Sequence, residues 1–253
     1  MLASGSSGNA AVVEAGDTCV LLDCGISCRQ IVTRMTGLGL DAGRIDAVLL
    51  THEHDDHVKG LEVFLRRHPV PVLATAGTVR GMATPPALVE PLAGGREVRV
   101  GALNVLPVPT SHDAGEPVGF VLEWGGHRAG FVTDTGVVTE LVAERLTGCQ
   151  TVLLECNHDR DMLRVGPYPW PLKQRIASRT GHLSNEQSRG ALERLVHSGL
   201  EVVVGMHLSQ TNNDPALVER ELGAVLAGSG VRLAVASQHR ALEVGTGPGP
   251  NAG

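Results

Sequence analysis

The densest chemistry in the chain is the run Thr51-His52-Glu53-His54-Asp55-Asp56-His57. Imidazole nitrogens and carboxylate oxygens are the donors that a borderline divalent cation takes. His52 and His54 share a parity, so an extended segment points both the same way. Asp56 and His57 then turn toward a second position. The apolar residues ahead of the run read as a buried strand, Asp46–Thr51, that delivers these side chains to its end. A solvated polar loop is the alternative, and such density of donors directly after an apolar strand speaks against it.

Further donors sit at other strand ends. His112 lies in Pro109-Thr110-Ser111-His112-Asp113, after the strand Leu103–Val108. Asp134 lies in Thr133-Asp134-Thr135-Gly136, after Arg128–Thr133, and His207 in Gly205-Met206-His207-Leu208-Ser209, after Glu201–Met206. Each alone is an ordinary strand-end residue. Together with the histidine run they supply the number and type of ligands for two metals.

Apolar alternation and turn signals outline the elements that must position these donors. Strands are expected at Ala10–Glu14, Thr18–Asp23, Asp46–Thr51, Pro71–Ala74, from Glu97 to Thr133, and at Thr151–Glu155, Glu201–Met206, Val231–Val235 and Ala241–Val244. Gly125-Gly126-His127 reads as a hairpin turn. Helices are expected at Ser27–Leu38, Val58–Arg67, Thr78–Ala83, Val137–Leu146, Leu172–Arg179, Ser184–Val196 and from Asp214-Pro215 to about Ala227. The result is one mixed α/β domain over residues 1–245, with a Gly/Pro tail at 246–253 expected to be disordered.

Composition excludes several classes. No apolar run is long enough for a membrane span. Met1–Asn9 is Gly/Ser-rich, without the basic and apolar regions of a secretory signal, so a cytoplasmic location is expected. The five cysteines are odd in number and form no CxxC pair, which counts against a disulfide framework or a zinc knuckle. Cys24 and Cys28 are spaced to face one another on a helical turn. A net charge of −6 counts against a strongly basic nucleic-acid binder but not against a local basic surface.

The pattern HxHxDH, a later His, a strand-end Asp and a final His resembles the motif set of the metallo-β-lactamase superfamily. The likeness runs from Ser4-Gly5-Ser6-Ser7-Gly8-Asn9 to about Val244. More narrowly, that opening, Leu154-Glu155-Cys156-Asn157-His158-Asp159, Gly181-His182-Leu183-Ser184-Asn185, and His207-Leu208-Ser209 with Asn212-Asn213 are similar to the YycJ/WalJ-type branch. The resemblance implies a four-layer αββα sandwich. It implies one metal on His52, His54 and His112, another on Asp56, His57 and His207, and Asp134 bridging them. Asp23 matches the superfamily's first motif, with an expected role in orienting ligands. No Cys occupies a ligand position, which departs from lactamases that use one. The donors admit zinc or manganese, and iron as well.

Glu155 and the Gly181-His182 segment resemble the tRNA-processing endonuclease branch, where a Glu orients a His that protonates the leaving group. By that likeness Glu155 and His182 form an orienter–acid pair. Ser184-Asn185-Glu186-Gln187 reads as a capping box, which sets His182 ahead of a helix N-terminus where an anion is favoured. Asp159 to Thr180 carries five cations against two acids, a local +3, and holds Tyr168 and Trp170 among only six aromatics. Basic residues beside aromatics suit a polyanion with stackable bases. A solvated helix face explains them equally well. Ser6, through the amides of its loop, and Ser184, Asn212, Asn213 and Arg175 are the candidate substrate contacts.

These readings converge on a dinuclear phosphodiesterase, with a metal-bridging hydroxide, Asp56 aligning it and His182 as general acid. The family likeness suggests a 5′-to-3′ exonuclease acting on DNA. The competing readings are hydrolysis of a small ester, thioester or lactam at the same site, and a non-catalytic binding module. Oligomeric state is not legible in the sequence.

Overall fold

Val20-Leu21-Leu22 and Val202-Val203-Val204 carry no polar interruption, and each becomes a strand buried on both faces, as parallel sheets between layers require. The computed structural model describes residues 1–245; the tail at 246–253 lies outside the described residues.

In chain order the elements are β1 (Ala11–Ala15), β2 (Thr18–Leu22), α1 (Cys28–Gly37), β3 (Ala47–Leu49), α2 (Asp55–Val58), α3 (Leu61–Arg67), β4 (Val72–Thr75), α4 (Ala76–Gly81), β5 (Val89–Leu92), β6 (Val98–Val100), β7 (Leu103–Pro109), β8 (Val118–Trp124), β9 (His127–Val132), α5 (Glu140–Leu146), β10 (Thr151–Glu155), α6 (Arg160–Val165), α7 (Trp170–Ile176), α8 (Asn185–Leu195), β11 (Val202–Met206), α9 (Pro215–Leu226) and β12 (Arg232–Val235). One sheet has the order β1-β2-β3-β4-β5, the other β12-β11-β10-β9-β8-β7-β6.

Strand parity builds the layers. On β2, Val20 and Leu22 face the space between the sheets, while Cys19 and Leu21 face α1 and α3. On β11, Val202, Val204 and Met206 face inward, while Val203 packs under α8 and α9. Helices therefore cover both outer faces, which is the αββα sandwich. The strands β2, β3 and β4 pair in parallel, as do β9, β10, β11 and β12. Their C-terminal ends gather the loops that carry Asp23, the histidine run, Asp134, Glu155 and His207.

Local signals act as expected at several helix starts. Ser184 and Gln187 form the capping box of α8, and Asp214 caps α9 with Pro215 in its first turn. The hairpin β8–β9 turns through Gly125 and Gly126 at φ 58° and 81°, the left-handed region that a tight two-residue turn needs.

Other expectations are corrected. The helix read as Val58–Arg67 is two, α2 and α3, broken at Gly60. A Cβ there would lie 2.0 Å from the Ile26 carbonyl oxygen, so the chain has to pass close at this point. Ala241–Val244 is not a strand. Leu242 and Val244 alternate because they pack on the inter-sheet core, while Leu242 donates its N–H to the Met1 carbonyl. Cys24 precedes α1 and Cys28 begins it, so they do not share a helical turn. The edge strand β5, which contains Pro91, and the short helix α6 were not anticipated. No helix among the described residues is long and apolar enough to cross a membrane.

Candidate metal centre

Asp23, Asp134 and His207 each stand just past a strand, and they are the non-glycine residues with positive φ among the described residues, at 56°, 51° and 57°. Left-handed backbone is uncommon outside glycine and clusters where a site has to be built. Here it turns three strand ends so that their side chains converge.

The first group is His52, His54 and His112. His52 Nε2 lies 3.1 Å from His54 Nδ1, and His112 Nε2 lies 3.2 Å from the same atom. The opposite ring nitrogens decide the tautomers. His112 Nδ1 donates to the Gly181 carbonyl at 3.1 Å. The Thr51 hydroxyl donates to the Asp23 carboxylate, so it accepts from His52 Nδ1 at 3.0 Å. Both Nε2 atoms then present lone pairs to His54 Nδ1. A single proton there can satisfy only one of them. A cation between the three nitrogens satisfies all, and this donor set fits one. Burial, then the neighbouring His57, holds His52 well below the ordinary histidine range, in the neutral form that ligation needs.

The second group is Asp56, His57 and His207. Asp56 Oδ2 lies 3.4 Å from both His57 Nε2 and His207 Nε2. Asp23, fully buried, accepts a hydrogen bond from His57 Nδ1–H at 2.7 Å, which turns Nε2 toward the carboxylates. Asp134 stands between the groups, with Oδ2 3.2 Å from His57 Nε2 and Oδ1 3.6 Å from His207 Nε2 and 3.8 Å from His112 Nε2. The ligand atoms in each of these groups lie within 4.8 Å of one another. Three acids, Asp23, Asp56 and Asp134, gathered round buried imidazoles call for positive charge. Burial opposes a charge on His57, yet Asp23 and Asp134 outweigh it and hold the imidazole well above its usual range. His207 is pushed up to about 10 against burial, chiefly by Asp134.

Glu155 ties the centre to its surroundings. Its Oε1 accepts from His182 Nδ1 at 2.7 Å and lies 3.1 Å from His207 Nδ1. Its Oε2 accepts the backbone N–H groups of Thr135 and Leu183 at 2.9 and 3.2 Å. Burial favours the neutral acid, but the two imidazoles prevail and lower its carboxyl to about 2.

The expected substrate contacts scatter. Arg175 is exposed and donates to Asp113 Oδ2 at 2.6 Å, and Asp113 Oδ1 lies 3.5 Å from His112 Nε2. Ser6 sits at an exposed loop tip. That loop's amides are mostly taken up internally, by Asn9 Oδ1 for Gly5, Gln238 Oε1 for Ser7 and the Gly5 carbonyl for Gly8. The Ser184 hydroxyl serves the cap of α8. Asn213 exchanges hydrogen bonds with Asn185 and donates to the Cys156 carbonyl. The buried side-chain amide of Asn212 has no partner among the described residues, while its backbone N–H donates to the Ser209 hydroxyl.

Sequence reasoning missed two residues. Asn9 Nδ2 lies 3.3 Å from Asp56 Oδ2 and 3.2 Å from His57 Nε2, and the Asn9 N–H donates to the Asp56 carbonyl. Thr51 links Asp23 to His52. Asn9 closes the Ser4–Asn9 segment and Thr51 opens the histidine run, yet neither residue type names its role, because both act only through partners brought in by the fold. A cleft of about 400 Å³ between the sheets, beside Val13 and Trp124, lies at the opposite edge from these donors.

The family model described as "Beta-lactamase superfamily domain" matches residues 18–208. Exodeoxyribonuclease YycJ of Bacillus anthracis is 32% identical over 235 residues, covering 91% of this chain and 89% of the relative. Among solved structures, the metallo-beta-lactamase fold protein YhfI from Bacillus subtilis superposes with a TM-score of 0.73 at 15% identity, covering 94% of both chains. Zn(2+)-bound PqqB from Methylobacterium extorquens gives 0.69 at 24%, covering 94% of this chain and 90% of that one. With its sheet order, its converging His/Asp groups and these likenesses, the chain belongs to the β-lactamase superfamily and is a hydrolase of the metallo-β-lactamase fold.

Proposed function

We propose that the chain is a dinuclear metal-dependent phosphodiesterase acting on DNA from an end, with 1–245 as its single catalytic domain. His52, His54 and His112 would hold one divalent ion, Asp56, His57 and His207 the other, with Asp134 shared. Zinc or manganese, or iron, suits these mixed nitrogen and oxygen donors. When bound, such ions supply a water-derived nucleophile near neutral pH and neutralise charge that builds on a phosphate.

The protein's own residues do the rest. Asp23 and Thr51 fix the ring orientations of His57 and His52. Asn9 holds the Asp56 carboxylate. The Glu155 carboxylate accepts a hydrogen bond from His182 Nδ1–H and stabilises the doubly protonated ring, so that Nε2–H would hand its proton to the departing oxygen and leave a neutral imidazole. The observation that carries the reading is this His182–Glu155 pair beside two ligand groups, since phosphodiester cleavage needs a protonated leaving group. The relative named an exodeoxyribonuclease, matched along nearly its whole length, supports DNA as the substrate.

The test is hydrolysis of end-labelled single- and double-stranded DNA and RNA with added Mn²⁺ or Zn²⁺, beside His182→Ala and Asp56→Ala. Metal-dependent release of label from DNA that both variants lower at least ~100-fold is expected. Turnover of a thioester or a lactam, with no polymer cleaved, would overturn it.

A further inference from the structure

Helix α7 has no buried residue. Its first residue, Trp170, is 66% exposed, and Val165 at the end of α6 is 71% exposed. The chain holds two tryptophans, and the other, Trp124, is 46% exposed with its ring against Gly16 at the far edge of the sheets. Trp170 stands between Pro169 and Pro171, whose rings fix the backbone on either side. An exposed aromatic on a stiff stem gives up little freedom when something stacks on it.

The surroundings suit a polyanion. Residues 159–180 carry a net +3 on a chain of −6. Arg160 pairs with Glu186, Arg164 with Asp161 and Arg175 with Asp113, which leaves Lys173 and Arg179 without an ion pair among the described residues. The helix is also registered against the proposed acid. The His182 N–H donates to the Ile176 carbonyl at 2.8 Å. A Cβ on Gly181 would lie 2.2 Å from the Arg175 and Ile176 carbonyl oxygens, so no slack exists there. Trp170 stands six residues before Ile176, ~9 Å along the helix. That is roughly two to three stacked nucleotides at ~3.4 Å each.

We propose that Trp170 is a stacking platform for a nucleobase of single-stranded DNA, on the side of the departing oxygen that His182 serves. The inference rests on the nuclease reading and names a contact for an unpaired base of that substrate. Stacking needs an unpaired base, so the platform would engage a nucleotide that is free of its complement.

The experiment compares wild type, Trp170→Ala and Trp170→Phe with Mn²⁺ on a single-stranded oligodeoxynucleotide and on an abasic oligomer of the same length. On the base-bearing strand, Trp170→Ala is expected to raise KM ~10-fold while kcat stays within about two-fold, and Trp170→Phe to recover most of the loss. On the abasic strand all three should share one KM. An unchanged KM on the base-bearing strand would overturn the platform, as would an equal rise on the abasic one. A fall in molar mass of Trp170→Ala by light scattering would also overturn it, by assigning the ring to a subunit contact. If wild type cleaves DNA and Trp170→Ala does so with unaltered KM, the platform alone fails. If wild type cleaves no oligonucleotide with Mn²⁺ or Zn²⁺, the nuclease reading fails with it.

Discussion

Glu155→Gln changes one atom and should disturb four contacts. The carboxylate accepts on one oxygen from His182 and His207 and on the other from the Thr135 and Leu183 amides. A Gln side chain has one accepting oxygen and one donating NH₂. Either the two backbone N–H groups face a donor, or the two imidazoles do. A buried donor left unmatched costs roughly 1–3 kcal/mol. The displaced carboxyl value, from 4.5 to about 2, corresponds to roughly 3 kcal/mol in favour of the folded chain. At roughly 2–4 °C per kcal/mol for a chain of this size, Glu155→Gln should lower Tm by about 6–12 °C. Calorimetry on both proteins after chelation keeps metal binding out of the comparison.

The pH dependence has a definite sign. A carboxyl whose folded value lies below its unfolded value contributes stability in full above the unfolded value. That contribution is lost as pH falls through the folded one. The gap in Tm between wild type and Glu155→Gln should therefore be widest above about pH 5 and narrow toward pH 2. In the metal-loaded protein, turnover should drop ~100-fold or more, because the acid loses its orienting partner. A gap below about 1 °C at neutral pH, together with full turnover, would refute the idea that Glu155 organises the centre.

The centre should respond to steric and metal perturbation as well. Gly25→Ala would set a Cβ 1.7 Å from the Asp56 carbonyl oxygen and 2.7 Å from the Asn9 nitrogen, so the Asp56 loop has to move. Reduced metal content by mass spectrometry and a Tm loss of at least ~5 °C are expected; stoichiometric metal in a stable variant would contradict the close approach. Chelation of wild type should remove ~4 kcal/mol or more if the ions are present at a thousand times their Kd, and readdition should restore both Tm and activity.

Much of the molecule is legible in its sequence. The mixed α/β class followed from apolar strands alternating with helices, while the αββα layering came from the resemblance carried by the HxHxDH run and its later His and Asp. The strand-end positions of His112, Asp134 and His207 followed from apolar runs that stop at a polar residue. Misreadings arose where burial imitates a period. Leu242 and Val244 alternate like a strand yet only fill the gap between the sheets. Gly60 reads as a tolerable helix interior until Ile26 is found against it. The substrate residues were the least legible. A free Ser, Asn or Arg looks the same as one already engaged, and Ser184, Asn213 and Arg175 prove to be hydrogen-bonded within the protein.

The sequence alone determined which donors exist and that each follows a strand, because side-chain type and backbone period are local properties. The tertiary structure decided which lone pairs meet. The tautomers of His52 and His112 are set by Thr51 and by Gly181, the latter 69 residues away from its His. Asn9 reaches His57 across 48 residues, and Glu155 reaches His207 across 52. Hydrogen-bond geometry changes over tenths of an ångström. Only the packing of two sheets and their strand ends can place groups so distant in the chain that closely.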